Sequence, residues 1–201
     1  DFISGDYEVD EEDLNYEEIG VENLGFNSNS VLLMENFAQE NNIEEKRLIA
    51  FTRAIASIET NNDGFDSSGN PRTRFECHLF NRESSLRVPC TTQNGESFSR
   101  VLEETNYNAF QRARALDPKL ASSSSSFGLF QILGNNYEML NLNSPENIAD
   151  ISSTQEGQVE LFLEFVKSKN DGIIVNELQK ENEMNYRTIA ENYNGAGDRN
   201  N

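Results

Sequence analysis

Glu59 is the acidic residue whose sequence context best suits proton transfer. It follows Ile58 at the end of an apolar helical pattern, where the chain turns into a polar loop over residues 61–70. Desolvation and the negative end of a helix dipole both disfavour the ionised form of a carboxyl group and raise its pKa. A carboxylic acid kept protonated in this way can deliver a proton to a poor leaving group, such as the alkoxide of a glycosidic bond. The same local pattern also fits a solvated residue in the last helical turn.

A second acidic group would activate water or stabilise the positive charge that develops on a sugar carbon. Glu76 is the main candidate, although it could equally pair with Arg74 or hold its own segment against His78. His78 is the only histidine; a structural hydrogen bond suits it better than acid–base work, and it is also a candidate substrate-binding residue. Asp63 and Asp66 lie in the polar loop, where turn formation explains them, but either could take the place of Glu76.

Four short segments together resemble lysozyme-like muramidases. The end of the catalytic helix in goose-type lysozymes and lytic transglycosylases resembles residues 54–60 (AIASIET). Their (W/Y)-G-L-(M/F)-Q-(I/V) segment is similar to residues 127–132 (FGLFQI), and their A-x-x-Y-N-x-G segment to residues 190–197 (AENYNGAG). The F-E-x-H-x-F element of the phage-type N-acetylmuramidase family resembles residues 74–80 (RFECHLF), and it singles out that family within the superfamily. The resemblance covers about residues 30–197.

The resemblance implies a role for five residues. Glu59 would be the general acid, and Gly128 would allow the backbone to approach the substrate closely. Gln131 would form hydrogen bonds with sugar hydroxyl or acetamido groups from the wall of the cleft. Tyr193 would lie near the acid, where it would donate a hydrogen bond or line a subsite, unless it is only structural. Asn194 would support the turn that follows Tyr193.

The activity that the resemblance implies is cleavage of the β-1,4 bond between N-acetylmuramic acid and N-acetylglucosamine in bacterial peptidoglycan. Such an enzyme acts outside the cytoplasm, as an endolysin released at lysis or as a virion-associated enzyme. Hydrolysis and lytic transglycosylation both remain open, because transglycosylation needs one carboxylate whereas hydrolysis usually needs a second group to position water. Two other readings are a structural or assembly module of a phage tail, virion or secretion machine, and a glycan-binding module without catalysis.

The negative charge of the chain is concentrated near its N-terminus. The formal net charge is −19, no Lys or Arg precedes Lys46, and residues 1–45 hold 14 of the 35 acidic residues. Nucleic acid is not an expected partner, because phosphate binding needs clustered cations. Residues 1–29 are predicted to form an acidic arm, either solvated or docked on a phage virion or tail protein. Residues 30–201 would form the catalytic domain, trimmed at its C-terminus, since family members usually continue with another helical stretch.

The elements that must position these residues are mostly helices. Apolar periodicity and capping residues predict helices at about 31–37, 42–60, 103–116, 154–168 and 185–193, with the second starting at a capping box of Asn42 and Glu45. Ser144 and Pro145 predict the cap and first turn of a further short helix. In that helix Leu48, Phe51, Ile55 and Ile58 form the apolar stripe. Residues 73–80 are predicted to be extended or a hairpin. The expected fold is therefore mostly α (α+β, lysozyme-like), with a small β-hairpin after the catalytic helix.

Cofactors, metals and membranes are not expected partners. The two cysteines, Cys77 and Cys90, form no framework signature, so the sequence leaves open whether they pair. A single histidine and the absence of a CxxC motif argue against a zinc site. No apolar run approaches the roughly 18 residues that a membrane-spanning helix requires.

Overall fold

The computed structural model describes residues 25–86, 88, 103–180 and 184–193. The expectations for residues 1–24, Cys90, Asn194 and the C-terminal end lie outside the described residues. Within the described ranges the fold is mostly α-helical with a small antiparallel sheet, so the predicted fold class is confirmed. The helices are α1 (Ser28–Glu40), α2 (Glu45–Thr60), α3 (Cys77–Glu83), α4 (Glu103–Leu116), α5 (Pro118–Ser123), α6 (Pro145–Ile151), α7 (Gln155–Ser168), α8 (Ile173–Leu178) and α9 (Tyr186–Tyr193).

The first described residues of the chain pack against α7. Phe26 is buried, and the side chain of Asn27 caps α1 by accepting a hydrogen bond from the backbone N–H of Ser30. The backbone N–H of Asn27 donates to the side chain of Gln155, which itself donates to the carbonyl of Gly25. The folded contacts therefore begin several residues before position 30.

The start of α2 differs from its prediction, whereas its end is as predicted. The helix begins at Glu45 with Glu44 as N-cap and no side-chain cap, so the predicted capping box is wrong. Asn42 instead adopts a left-handed conformation (φ 53°) in the turn after α1. The helix ends at Thr60, because Asn61 is left-handed and its N–H bonds back to the last turn.

The buried face of α2 also differs from the predicted apolar stripe. Ile58 is 77% exposed rather than buried. Leu48 is buried as predicted, and Phe51 and Ile55 are partly buried against the core. The other buried positions of the helix are Thr52, Ala56 and Thr60. The two threonines are tolerated there because each hydroxyl donates to the carbonyl four residues earlier. Glu59 therefore lies at the edge of the buried face.

The sheet joins distant parts of the chain. Strand β1 (Thr73–Phe75) pairs antiparallel with β2 (Ser125–Phe127), which forms a hairpin with β3 (Ile132–Leu133). The predicted extended segment is confirmed for residues 73–75 only, because the chain from Cys77 onward forms α3. Cys77 and Phe80 are both buried, and their spacing of three places them on one face of a helix, whereas in a strand they would point to opposite faces.

The core is centred on α7. Phe162 is fully buried, stacks on Phe130 with ring centroids 4.1 Å apart, and contacts Phe51 and Tyr193 at 5.8 and 6.1 Å. These rings connect α2, the β2–β3 turn and α9, which are the elements that carry the predicted site. None of the helices within the described ranges combines the length and the apolar character needed to cross a bilayer.

Candidate active site

Glu59 lines an open cavity of about 260 Å³ at the meeting point of α2, the sheet, α7 and α9. The predicted residues Gln131 and Tyr193 line the same cavity, so the fold brings these three together. The cavity wall also includes two cationic residues, Arg74 and Lys169. Among the described residues that line it, Glu59 is the one acidic side chain. A sugar-sized space with a single carboxyl group and several polar groups is suited to proton transfer to a bound ligand.

The environment of Glu59 favours its protonated form. Partial burial at the end of α2 raises the pKa of this carboxyl above its ordinary value of 4.5. The positive charge of Arg74 acts in the opposite direction and is the smaller effect. A larger fraction of Glu59 is therefore protonated near neutral pH than for a solvated glutamate, as a proton donor requires.

Tyr193 is a buried residue that connects α9 to the cavity wall. Its hydroxyl donates a 2.8 Å hydrogen bond to the backbone carbonyl of Phe130. Burial and, to a lesser extent, the negative charge of Glu59 raise the pKa of Tyr193 well above 10.0. The phenol proton is therefore firmly held and already bonded, which leaves the hydroxyl oxygen to accept a hydrogen bond from the cavity.

Gln131 occupies the last position of the turn between β2 and β3. Its backbone is left-handed (φ 50°), and its amide nitrogen donates to the carbonyls of Gly128 (2.9 Å) and Arg72 (3.3 Å). Both amide protons thus stabilise the turn. The amide oxygen is therefore the atom through which this side chain would contact a ligand, as an acceptor.

Gly128 begins the same turn, and its conformation explains why glycine is needed. Its φ is +71°, and a Cβ atom there would lie 2.7 Å from two side-chain carbons of Gln158. The close approach at Gly128 is therefore to another part of the protein. A larger residue would displace Gln158 in addition to straining the backbone.

Gln158, which no sequence motif singled out, forms hydrogen bonds that join the β2–β3 turn, the loop after α2 and the chain after α6. Its amide oxygen accepts from the N–H of Leu129 (2.7 Å), and its amide nitrogen donates to the carbonyls of Ser152 (2.8 Å) and Gly64 (3.2 Å). The side chain is 2% exposed. A polar residue within the apolar face of α7 was the sequence signal that could have identified it.

Thr60, on α2, provides a second contact between that helix and this turn. Thr60 directly follows Glu59 in the chain, and its buried hydroxyl lies 2.9 Å from the backbone carbonyl of Leu129. The same turn is therefore fixed from α2 by Thr60 and from α7 by Gln158. This arrangement sets the distance between Glu59 and the opposite wall of the cavity.

Glu76 lies beside the cavity and is not among the described residues that line it. One carboxylate oxygen is 2.8 Å from Nε of Arg74, and the other is 3.5 Å from Nδ1 of His78. The side chain of His78 is 69% exposed and does not appear in the described wall of the cavity. The geometry therefore places Glu76 as the partner of Arg74, whose guanidinium faces Glu59.

The two aspartates of the polar loop form turn contacts. Asp66 accepts hydrogen bonds from the backbone N–H groups of Ser68 and Asn70, each 2.9 Å long. Asp63 forms an ion pair of 3.0 Å with Arg72. Neither aspartate is among the described residues that line the cavity.

Metal chemistry finds no support in the described part of the chain, which contains no cluster of three or more His, Cys, Asp or Glu side chains able to bind a metal ion. Cys77 is disulfide-bonded and is therefore not a free nucleophile. Its predicted candidate partner, Cys90, lies outside the described residues.

Comparison with known proteins identifies a family and a fold. The N-acetylmuramidase family model matches residues 49–201. Similar solved structures include the crystal structure of the Burkholderia AP3 phage endolysin, with a TM-score of 0.64 and 21% sequence identity. The match covers 82% of this chain and 62% of that chain, so the chain spans less than two thirds of the endolysin's length. No curated protein matches the chain.

Proposed function

The chain belongs to the N-acetylmuramidase family of glycoside hydrolases, and from that membership we propose that it cleaves peptidoglycan at the β-1,4 bond between N-acetylmuramic acid and N-acetylglucosamine, with Glu59 as the general acid. The family predicted from the four sequence segments is confirmed. The position of Glu59 is the observation that carries the proposed mechanism: its partly buried carboxyl, with a raised pKa, faces a cavity shared with Gln131 and Tyr193.

In the proposed mechanism Glu59 donates its proton to the glycosidic oxygen as the bond to the sugar carbon breaks. Positive charge then develops on that carbon, and the carboxylate left on Glu59 faces it across the cavity. The amide oxygen of Gln131 and the hydroxyl oxygen of Tyr193 would accept hydrogen bonds from the sugar. Gly128 and Asn194 would act indirectly, Gly128 by shaping the turn around Gln158 and Asn194 by supporting the chain after Tyr193.

Hydrolysis and transglycosylation differ in whether a second carboxylate, besides Glu59, is needed to position water. Glu59 is the one acidic side chain among the described lining residues, and Glu76 is engaged by Arg74. This arrangement favours lytic transglycosylation as a second candidate, since a hydroxyl group of the substrate can then attack the sugar carbon. In a hydrolase, Glu76 would have to reach the water through a rearrangement of its pair with Arg74.

Replacement of Glu59 by glutamine tests the general acid. We expect Glu59→Gln to lower the rate of release of soluble fragments from purified sacculi by about a thousandfold or more, because general acid catalysis of a poor leaving group is lost. Glu160→Gln makes the same change at an exposed position on α7, away from the cavity. It is the matched control and should keep full activity. Full activity in a folded Glu59→Gln protein would refute the assignment.

Mass spectrometry of the released muropeptides identifies both the bond and the reaction. Reducing N-acetylmuramic acid ends indicate hydrolysis at the proposed bond, and 1,6-anhydro ends indicate transglycosylation. Reducing N-acetylglucosamine ends would contradict the proposed bond. The absence of any wild-type cleavage would instead favour the assembly-module or glycan-binding alternatives.

A phage origin, with action on the cell wall outside the cytoplasm, is the biological setting that we propose. It is supported by the fold shared with the Burkholderia AP3 phage endolysin. The acidic residues of the N-terminal arm would dock on a virion or tail protein, since a chain of net charge −19 gains no long-range attraction to an anionic wall. A chain that begins at Gly25 keeps Phe26 and Asn27, and it should retain sacculus cleavage while losing association with such a partner.

A further inference from the structure

Lys169 contributes an uncompensated positive charge to the wall of the Glu59 cavity. It follows the last residue of α7 and is partly buried, with Nζ 5.1 Å from the centre of the Phe165 ring. Within the described ranges no acidic side chain forms an ion pair with it. The other cation of the cavity, Arg74, is neutralised by Glu76 at 2.8 Å.

The backbone after Lys169 is held in an unusual conformation. Asn170 and Asp171 are both left-handed, with φ of 47° and 56°, and Gly172 follows at 76°. The side chain of Asn170 donates to that of Asn192 on α9, next to Tyr193. Consecutive left-handed residues cost conformational energy, and such conformations cluster at functional sites. The backbone around Lys169 is therefore anchored to both α7 and α9.

The charge of this wall is unusual for the chain as a whole. The chain has a formal net charge of −19, yet the described lining of the cavity combines two cations with one carboxyl group, that of Glu59. An ammonium group that is partly removed from water and has no counter-ion among the described residues is well suited to a carboxylate ligand. Lys169 is the residue best placed to supply it, because the guanidinium of Arg74 is already paired.

We propose that Lys169 binds a carboxylate carried by the muramoyl unit of the substrate, either on the lactyl group itself or on the stem peptide attached to it. This inference rests on the proposed function, because it assigns a binding partner within the same cavity. N-acetylglucosamine carries no carboxylate, so the contact distinguishes the two sugars and places the muramoyl unit beside Glu59.

Three glycan substrates test the proposal and separate the two sources of the carboxylate. They are strands that retain their stem peptides, strands stripped by an amidase to expose the lactyl carboxylate, and stripped strands whose lactyl carboxylates have been converted to methylamides. For Lys169→Gln we expect KM to rise about tenfold on a carboxylate-bearing substrate with little change in kcat, since a charge-assisted hydrogen bond is lost. Lys169→Arg should restore most of the affinity.

The KM effects of Lys169→Gln test only the role of Lys169. If the proposed function itself were wrong, the wild-type protein would cleave none of the three substrates. A KM effect on stripped strands that disappears on methylamide strands supports the lactyl carboxylate, and an effect confined to stem-bearing strands supports the peptide carboxylate. An equal effect on the neutral methylamide strands, or no effect on any substrate, overturns the proposal. Lys167→Gln removes the same charge from an exposed position on α7 and should leave KM unchanged.

Discussion

The hydroxyl of Tyr193 donates a 2.8 Å hydrogen bond to the backbone carbonyl of Phe130, one residue before Gln131. This bond joins α9, near the end of the described chain, to the turn that faces Glu59. The resemblance to muramidases predicted that Tyr193 lies near the acid, and the structure places both in one cavity. Because its proton is directed to the backbone, we interpret Tyr193 as a residue that positions the cavity wall.

Removal of this hydroxyl tests that interpretation. We expect Tyr193→Phe to lower the free energy of unfolding by about 1–2 kcal/mol, because the buried carbonyl of Phe130 loses its partner. The fall in kcat should be less than about tenfold, far below the loss expected for Glu59→Gln. Urea unfolding and sacculus digestion measure the two effects. A thousandfold loss of kcat in a stable protein would instead assign the hydroxyl to the chemical step.

Gln158 should be important for stability. We expect Gln158→Leu to lower the free energy of unfolding by roughly 3 kcal/mol, because the N–H of Leu129 and the carbonyls of Gly64 and Ser152 would be left buried without their partner. Thermal unfolding measures the loss. Gln179→Leu removes one exposed hydrogen bond to Asn41 and should change stability by less than about 1 kcal/mol. Equal melting temperatures for the two variants would contradict the proposed role.

The raised pKa of Glu59 should make its ionised form a source of instability. The folded protein binds this proton more tightly than the unfolded chain, whose carboxyl titrates near 4.5. The destabilisation is therefore absent below pH 4.5 and develops as the pH rises through the raised pKa. We expect Glu59→Gln to be more stable than the wild type at pH 7.5, by at most about 1 kcal/mol because solvent screens a partly exposed group.

Melting curves across pH measure this difference, which should disappear near pH 4. For the control Glu160→Gln, the difference in stability from the wild type should not change with pH in this way. A wild-type protein more stable than Glu59→Gln at pH 7.5 would mean that the ionised carboxylate makes favourable contacts in the folded state, contrary to the desolvation argument.

Glu76 should act through Arg74. In Glu76→Gln the positive charge of Arg74 is no longer compensated, and this charge lowers the pKa of Glu59. We expect the alkaline limb of the kcat/KM profile to move to lower pH, with activity at pH 7 reduced by about two- to tenfold. Arg74→Gln should move the same limb to higher pH. A loss as large as that of Glu59→Gln, with no shift of the limb, would identify Glu76 as a direct participant.

The local sequence was sufficient to predict most of the helices. Periodicity and end signals located the helices from Glu103 to Leu116 and from Gln155 to Ser168, because these signals act within a few residues of one another. Alternating apolar residues predicted an extended segment over residues 73–80, and this prediction was wrong from Cys77 onward, where the chain forms α3. Short motifs with fixed internal order likewise identified the family and selected Glu59.

The sequence by itself thus determined the helical character and the family, and it singled out Glu59 as the candidate acid, since each is encoded in short contiguous segments. The tertiary structure decided which side chains share the cavity: Arg74 reaches it through a strand paired with distant residues, and Lys169 through the end of α7. It also decided that the amide protons of Gln131 and the hydroxyl proton of Tyr193 bond to backbone carbonyls. These contacts depend on which surfaces of the helices and strands pack together when the chain folds, and the spacing of residues within one short segment does not determine that packing.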